Sequence, residues 1–185
     1  MVLTKVGNEF EDEELRYGEP GSKQGFYESQ NDATALIESM TPAKGSTIKI
    51  ITSYGDWGWE QTESDGSPSK WIKWLRGKIT GDQIKLKVVA YLGKGDVISQ
   101  STHNNLKHLL GTDGSVEFRR TDKPQISHYV LCSNPPQLWI EEEHRDGSPA
   151  QHCFFVEHPY PETFNDVEMK FNALFADSSP LKIAP

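Results

Sequence analysis

The sequence is poor in cysteine and has no long apolar run. Its 185 residues include two cysteines, Cys132 and Cys153, each inside a short apolar stretch. Such cysteines are typical of buried free thiols in a reducing compartment, although a disulfide between them stays open. No apolar run approaches the ~20 residues that a membrane helix needs, and the first residues, MVLTKVGNEFEDEE, lack the pattern of a secretion signal. These absences predict a soluble, cytoplasmic protein.

Patterns typical of metal sites are also missing. No spacing of cysteine and histidine indicates zinc. The glutamates at 141–143 and His144 are the cluster that could hold a metal, together with His128 or His152. Successive residues of a strand face opposite ways, so at most Glu141 and Glu143 share a face. We therefore expect neither a metal nor a cofactor.

Charge is unevenly distributed along the chain. The formal net charge is −8, yet residues 70–123 carry 11 basic and 5 acidic side chains. An acidic protein is repelled by phosphate backbones, which argues against non-specific nucleic-acid binding without excluding it. The basic central third could still hold a local anion site. The alternative is that its charges only solvate the faces of strands and helices.

Hydrophobic periodicity predicts four helices, over residues 31–41, 69–76, 102–110 and 163–176. The second of these is expected to stop at Gly77. Strands are predicted in STIKIITSY, DQIKLKVVAYL, SVEFRR and QHCFFVEH, and on both sides of a turn at Asn134-Pro135-Pro136. Strands that alternate with helices predict an α/β fold with a mixed β-sheet flanked by helices on both faces.

The chain length predicts one folded domain. Residues 1–25 contain EFEDEE and several glycines and prolines, a composition typical of a poorly ordered acidic segment. The folded domain is therefore expected to occupy residues 26–185.

Five stretches, taken in order, resemble one half of the phospholipase D superfamily. FYESQNDATALIESMTPAKGSTIKIITSY is similar to its opening helix and first strand, and WIKWLRGKITGDQIKLKVVAYLG to the next helix and strand. LLGTDGSVEFRRTDKPQISHYVL resembles the approach to the catalytic strand, QLWIEEEH the end of the strand after it, and FNDVEMKFNALFADS the closing helix. The resemblance covers most of residues 26–178 and implies a phospholipase-D-like half-domain.

The signature of the superfamily, H-x-K-x-x-x-x-D, is only partly present. His128 stands at the histidine position, but Val130 occupies the lysine position and Pro135 the aspartate position. The glycine, serine and asparagine expected after the hairpin are also missing, and Glu141, Glu142 and His144 lie near those positions. The resemblance therefore implies a degenerate active site.

This degeneracy bears directly on the chemistry. In the superfamily a histidine nucleophile attacks a phosphodiester and forms a phosphohistidine, while lysines hold the non-bridging oxygens. Valine cannot donate a hydrogen bond, and loss of one such donor in an enzyme site costs ~10²–10³ in rate. Glutamates near the site would also repel phosphate.

Other cations could replace the missing lysine. Arg119, Arg120 and Lys123 precede His128 in the sequence RRTDK, and arginine binds phosphate in a bidentate manner. These three residues are the candidate anion site, with His128 as the candidate catalytic residue. The alternatives are a solvated edge strand for the cations and a hydrogen-bonded structural role for His128.

Three functions remain open. The resemblance favours a catalytically degenerate domain that acts as a binding or protein-interaction module. The second hypothesis is a divergent phosphodiesterase or nuclease that uses His128, and the third is a regulatory protein whose acidic surface binds a basic partner. Superfamily members with a single half-site generally dimerise, which implies a homodimer, or else a protein partner, with at most weak binding of a phosphate-containing ligand.

Overall fold

The structure is a computed structural model that describes residues 24–27, 37–38, 40–52, 58–110, 115–125, 127–141 and 153–181. Within these residues the chain forms one eight-stranded sheet and three complete helices. The strands are β1 (Gln24–Tyr27), β2 (Thr47–Thr52), β3 (Lys85–Tyr91), β4 (Val116–Thr121), β5 (His128–Ser133), β6 (Pro136–Glu141), β7 (Cys153–Val156) and β8 (Ser179–Pro180). The helices are α1 (Lys70–Gly81), α2 (Gln100–Leu110) and α3 (Pro161–Asp177).

The sheet is mixed. Its strand order is β1-β7-β6-β5-β2-β3-β4-β8. The strands β2, β3 and β4 are parallel, and the other neighbouring pairs are antiparallel. The antiparallel strands β5 and β6 form the hairpin predicted from the sequence, with the turn at residues 134–135.

Helices cover both faces of the sheet. Ile48 and Ile50 of β2 pack with α1 and α2 in the largest apolar cluster of the described residues. Ile51, which points the other way, packs with Phe171 of α3. Because β2 is central, its β-branched run is buried on both faces, as is typical of a strand inside an α/β sheet. The predicted fold class is confirmed.

The predicted end of α1 was wrong. The helix continues through Gly77 to Gly81, and Ile79 extends its buried stripe. An interior glycine costs a helix only ~1 kcal/mol relative to alanine, less than the burial of one isoleucine contributes. The oxygen of Ser69 accepts from the amide of Ile72 at the start of α1, as is typical of a serine N-cap.

The other helices differ from their predicted bounds by one or two residues. The helix α2 begins at Gln100 because Ser99 accepts from the amide of Thr102. The helix α3 begins at Pro161, where proline suits the first helical position. Of the helix predicted over 31–41, the structure describes Ile37 and Glu38 as helical and residues 40–41 as non-helical, and the rest lies outside the described residues.

Two edge strands were not predicted. The strand β1 pairs with β7, and the two-residue β8 pairs with β4. Proline is tolerated in β8 because the strand lies at the edge of the sheet. Since β1 begins at Gln24, the sheet includes the last two residues of the predicted N-terminal segment, and residues 1–23 lie outside the described residues.

Candidate functional site at the carboxyl edge of the sheet

The carboxyl ends of the parallel strands lie at one edge of the sheet. The strands β2, β3 and β4 end at Thr52, Tyr91 and Thr121. Because β5 is antiparallel to β2, its first residue, His128, lies at this same edge. Ligands of open α/β sheets bind outside the carboxyl ends of the strands. We therefore treat this edge as the candidate functional site.

His128 faces a carboxylate. His128 and Glu141 are direct partners in the register of β5 and β6, so their side chains share a face of the sheet. The Nε2 atom of His128 lies 3.8 Å from Oε2 of Glu141, and the exposed fractions of the two side chains are 0% and 5%. This distance is too long for a hydrogen bond, and the contact is a buried electrostatic one. Glu141 therefore lies beside His128, whereas Glu142 and His144 lie outside the described residues.

A buried hydroxyl, that of Thr52, lies in the same row. Ile51 and Tyr129 are register partners whose side chains face α3. Since side chains alternate along a strand, Thr52 and His128 both face the side covered by α1 and α2. Thr52 is fully buried, and its Oγ1 has no hydrogen-bond partner within the described part of the chain. We did not anticipate this residue, although a polar residue at the carboxyl end of a strand, in step with Ile48 and Ile50, is a usable signal.

The three predicted cations do not form one site around His128. Arg119 and Arg120 are consecutive on β4, so they point to opposite faces of the sheet. The guanidinium of Arg119 lies 4.7 Å from the ring centre of Phe175, on the α3 side, and donates to the carbonyl of Ser178. Lys123 forms an exposed ion pair with Asp177 at 2.7 Å.

Arg120 alone is on the face of His128. Its register partner is Ala90, whose own partner is Thr52. Its Nη2 lies 3.4 Å and 3.5 Å from the carbonyl oxygens of Leu92 and Gly93. Two strands, β3 and β2, lie between them, so three spacings of ~4.8 Å place the backbones of Arg120 and His128 about 14 Å apart. Only a ligand that extends along the edge could contact both residues.

The lysine and aspartate positions of the motif have different surroundings. Val130 is fully buried on the same face as His128, in the apolar cluster that contains Trp139 and Phe155. Pro135 lies in the hairpin turn, which is at the opposite end of β5 from His128. The described residues therefore place apolar packing, and no cation, next to His128 along β5.

The loop after β2 contributes to the core. Trp59 is buried and packs edge to face with Phe118 at 5.3 Å between ring centres. The side chain of Asn105 donates to the carbonyls of Trp59 and Gln61, which fixes this part of the loop onto α2. Trp59 is therefore a core residue, while Tyr54 and Trp57 of the same loop lie outside the described residues.

The described residues contain no group of three His, Cys, Asp or Glu side chains that could hold a metal. The expected absence of metals and cofactors stays a prediction. None of the helices in the described ranges is long and apolar enough to span a membrane.

Solved structures with a similar fold include the following two. TrmBL2, an archaeal chromatin protein with a novel mode of DNA binding, matches with a TM-score of 0.58 and 11% identity over 88% of this chain and 55% of that chain. Nuc from Salmonella typhimurium, a phospholipase D family member, matches with a TM-score of 0.57 and 11% identity over 89% of this chain and 99% of that chain. This chain therefore spans about half the length of the TrmBL2 chain. No protein-family model and no curated protein sequence matches it.

At 11% sequence identity, the similarity to Nuc is evidence for a shared fold and not for a shared activity. The mixed sheet, the helices on both of its faces and the coverage of almost the whole Nuc chain agree with the resemblance found in the sequence. This chain has a phospholipase-D-like α/β fold.

Proposed function

We propose that this chain is a phospholipase-D-like domain that binds a partner and no longer catalyses phosphodiester cleavage. The observation that carries the proposal is the environment of His128, which is fully buried, faces Glu141 at 3.8 Å and is followed on its face by Val130. A nucleophile must reach a phosphorus atom in line with the leaving group. A fully buried imidazole is poorly suited to that task.

Electrostatics supports the same proposal. Phosphoryl transfer depends on cations that hold the non-bridging oxygens as charge develops. Arg120 is the one predicted cation on the correct face, and its side chain is directed toward two backbone carbonyls. Glu141 places a carboxyl group, and not a cation, beside His128. Any phosphate bound at this edge should be held weakly and be displaced by salt.

The experiment is an assay of phosphodiester turnover. Bis-p-nitrophenyl phosphate, single-stranded DNA and phosphatidylcholine would each be incubated with the wild-type chain and with His128→Ala. We expect no difference between the two preparations, because residual turnover would come from contaminants. Turnover that disappears in His128→Ala would overturn the proposal.

That outcome would favour the second candidate, a divergent phosphodiesterase or nuclease. Three features support it: His128 lies at the ligand-binding edge, Thr52 presents a buried hydroxyl on the same face, and Arg120 lies further along that row. A partner that uncovers His128 would be required for such an enzyme, because the side chain is fully buried in the chain alone.

We propose a homodimer as the assembly, as expected for a phospholipase-D-like half-site. Light scattering at micromolar concentration should give twice the 20.9 kDa mass of the chain. A mass of one chain would instead favour a different protein as the partner.

Nucleic acid is a second partner to test, because TrmBL2, whose structure is similar, is a chromatin protein that binds DNA. A cytoplasmic location is supported by the buried free thiol of Cys132.

A further inference from the structure

The outer surface of α1 and α2 is cationic, although the chain as a whole carries a net charge of −8. The two helices pack against each other, and neither contains an aspartate or a glutamate. Their basic side chains are Lys70, Lys73, Arg76, Lys78, His103, Lys107 and His108. This surface lies on the face of the sheet opposite to α3.

Two basic side chains of this surface contact each other. The Nη1 atom of Arg76 lies 2.8 Å from Nε2 and 3.2 Å from Nδ1 of His108. A guanidinium can only donate, so the ring nitrogen that accepts must be unprotonated. Burial, and then the charges of Arg76 and Lys73, lower the pKa of His108. A positive potential is therefore concentrated where α1 meets α2.

Four other cations of the described chain have a carboxylate partner. Lys49 pairs with Glu168, Lys87 with Glu117, Lys123 with Asp177, and Lys78 with Asp82. By contrast, the ion pairs of the described residues include none within 4.0 Å for Lys73, Arg76 or Lys107. Glu38 and Asp65 act at longer range on Lys70 and Lys73. We define the cationic face as Lys73, Arg76, Lys107 and His108.

We propose that the cationic face binds the phosphate backbone of a nucleic acid. The inference gives a partner to the binding role proposed above, and it rests on that role, but it uses another surface. Lysine and arginine on exposed helices neutralise backbone phosphates without reading the bases, which yields binding that is independent of sequence. The acidic remainder of the chain orients this face toward the polyanion, because it is repelled elsewhere.

Exposure favours a nucleic acid over a membrane surface. The exposed large apolar residues of the described chain are Val97, Leu110 and Met169, and of these only Leu110, at 37%, is on either helix. A helix that lies on a membrane needs an apolar face to insert.

Gly77 follows Arg76 on the exposed side of α1, and a Cβ built there would meet nothing within 4 Å. A phosphate backbone could approach closely at this position.

The experiment measures fluorescence anisotropy of a labelled DNA duplex of about 20 base pairs, of mixed sequence, against the full chain at several salt concentrations. If three cations contact phosphates, the logarithm of the association constant should fall with log salt at a slope of about −3. The variant Lys73→Glu/Arg76→Glu should raise Kd at least ~10-fold and reduce the size of the slope by about 2. In the wild type, the His108 imidazole resonance, assigned with His108→Gln, should shift on addition of the duplex.

The matched control is Lys85→Glu/Lys170→Glu. It changes the net charge by the same amount, but Lys85 pairs in register with Thr47 on the α3 side and Lys170 lies over Tyr129, also on that side. We expect its Kd to stay within ~2-fold of wild type, because distant charges are screened. Circular dichroism would establish that all variants are folded.

Several results would overturn the inference. The first is that the wild-type chain does not bind the duplex. The second is that Lys85→Glu/Lys170→Glu weakens binding as much as Lys73→Glu/Arg76→Glu does. The third is that vesicles of phosphatidylserine and phosphatidylcholine bind the cationic face as tightly as DNA does. These failures are distinct from a failure of the proposed function, which would be turnover that depends on His128. A chain without turnover and without DNA binding would leave the proposed function in place and remove only this partner.

Discussion

At the scale of single residues, the candidate site is decided by what surrounds His128. A histidine at the ligand-binding edge of the sheet is in the right place for the chemistry that the motif implies. Glu141, its partner across the β5–β6 pair, places a carboxyl group beside it, and Val130, the next residue on its face, adds apolar packing. The loss of the motif is therefore also a change in packing, which a single substitution should not reverse.

Val130→Lys tests that statement. Val130 is fully buried among apolar residues, and burial of a lysine there should depress its pKa by 3–5 units at about 1.4 kcal/mol per unit, a loss of ~4 kcal/mol or more in the free energy of unfolding. Urea denaturation measures the loss, and we expect no phosphodiesterase activity in the variant. A stable Val130→Lys chain that turns over substrate would contradict the packing argument.

Cys132 should react slowly in the folded chain. The thiol is fully buried, and burial raises its pKa even though the carbonyl of Asn134 and the hydroxyl of Ser46 are within hydrogen-bonding distance. Since the thiolate is the reactive form, a Cys153→Ser chain should react with an aromatic disulfide reagent much more slowly before unfolding than after it. Equal rates in buffer and in urea would show that the β5 core opens readily.

At the scale of elements, alternation and periodicity explain both the successes and the errors of the sequence prediction. The apolar stripes identified α1, α2 and α3, and the runs of β-formers identified the central strands, because each of these elements buries one or two faces. The end of α1 was missed because Gly77 was given more weight than Ile79, which is buried. The edge strands β1 and β8 bury little and leave a weak pattern.

Gly77→Ala should stabilise the protein. The residue is exposed inside α1, and a Cβ there would meet nothing within 4 Å. Alanine reduces the entropy of the unfolded chain and should raise the free energy of unfolding by about 0.5–1 kcal/mol, as measured by urea titration. A matched substitution at Gly45, where φ is +78°, should instead destabilise, since L-residues rarely adopt that conformation. Destabilisation by Gly77→Ala would mean that α1 is not a continuous helix at this point.

The contact between α1 and α2 should make stability depend on pH. Burial, and then Arg76 and Lys73, hold the pKa of His108 below its ordinary value of 6.5. The unfolded chain therefore binds this proton more readily, and stability is lost as pH falls through 6.5 toward the lowered pKa of the folded state. His108→Gln should remove this part of the loss when urea denaturation is compared at about pH 7.5 and about pH 5.5. An identical loss in the variant and in the wild type would contradict the effect.

At the scale of the whole molecule, the fold could be predicted from the sequence and the site only in part. The order of the amphipathic helices and the strands along the chain determines which of them pack against each other. The α/β class could therefore be predicted from hydrophobic periodicity together with the resemblance. By contrast, the separation of Arg119 from Arg120 depends on which face each residue of β4 presents, and the contact of Arg76 with His108 depends on how two helices pack. Neither can be read from spacing along the chain.

The central claim is that His128 does not act as a nucleophile. The most direct measurement is the amount of p-nitrophenolate released from bis-p-nitrophenyl phosphate per mole of chain, followed from the first seconds to a full day. This quantity registers a single covalent event on His128 as well as repeated turnover. We predict less than about one equivalent per chain, with the same trace from His128→Ala. An early burst of about one equivalent, or a steady release beyond it, that is absent in His128→Ala would contradict the account and establish a working active site.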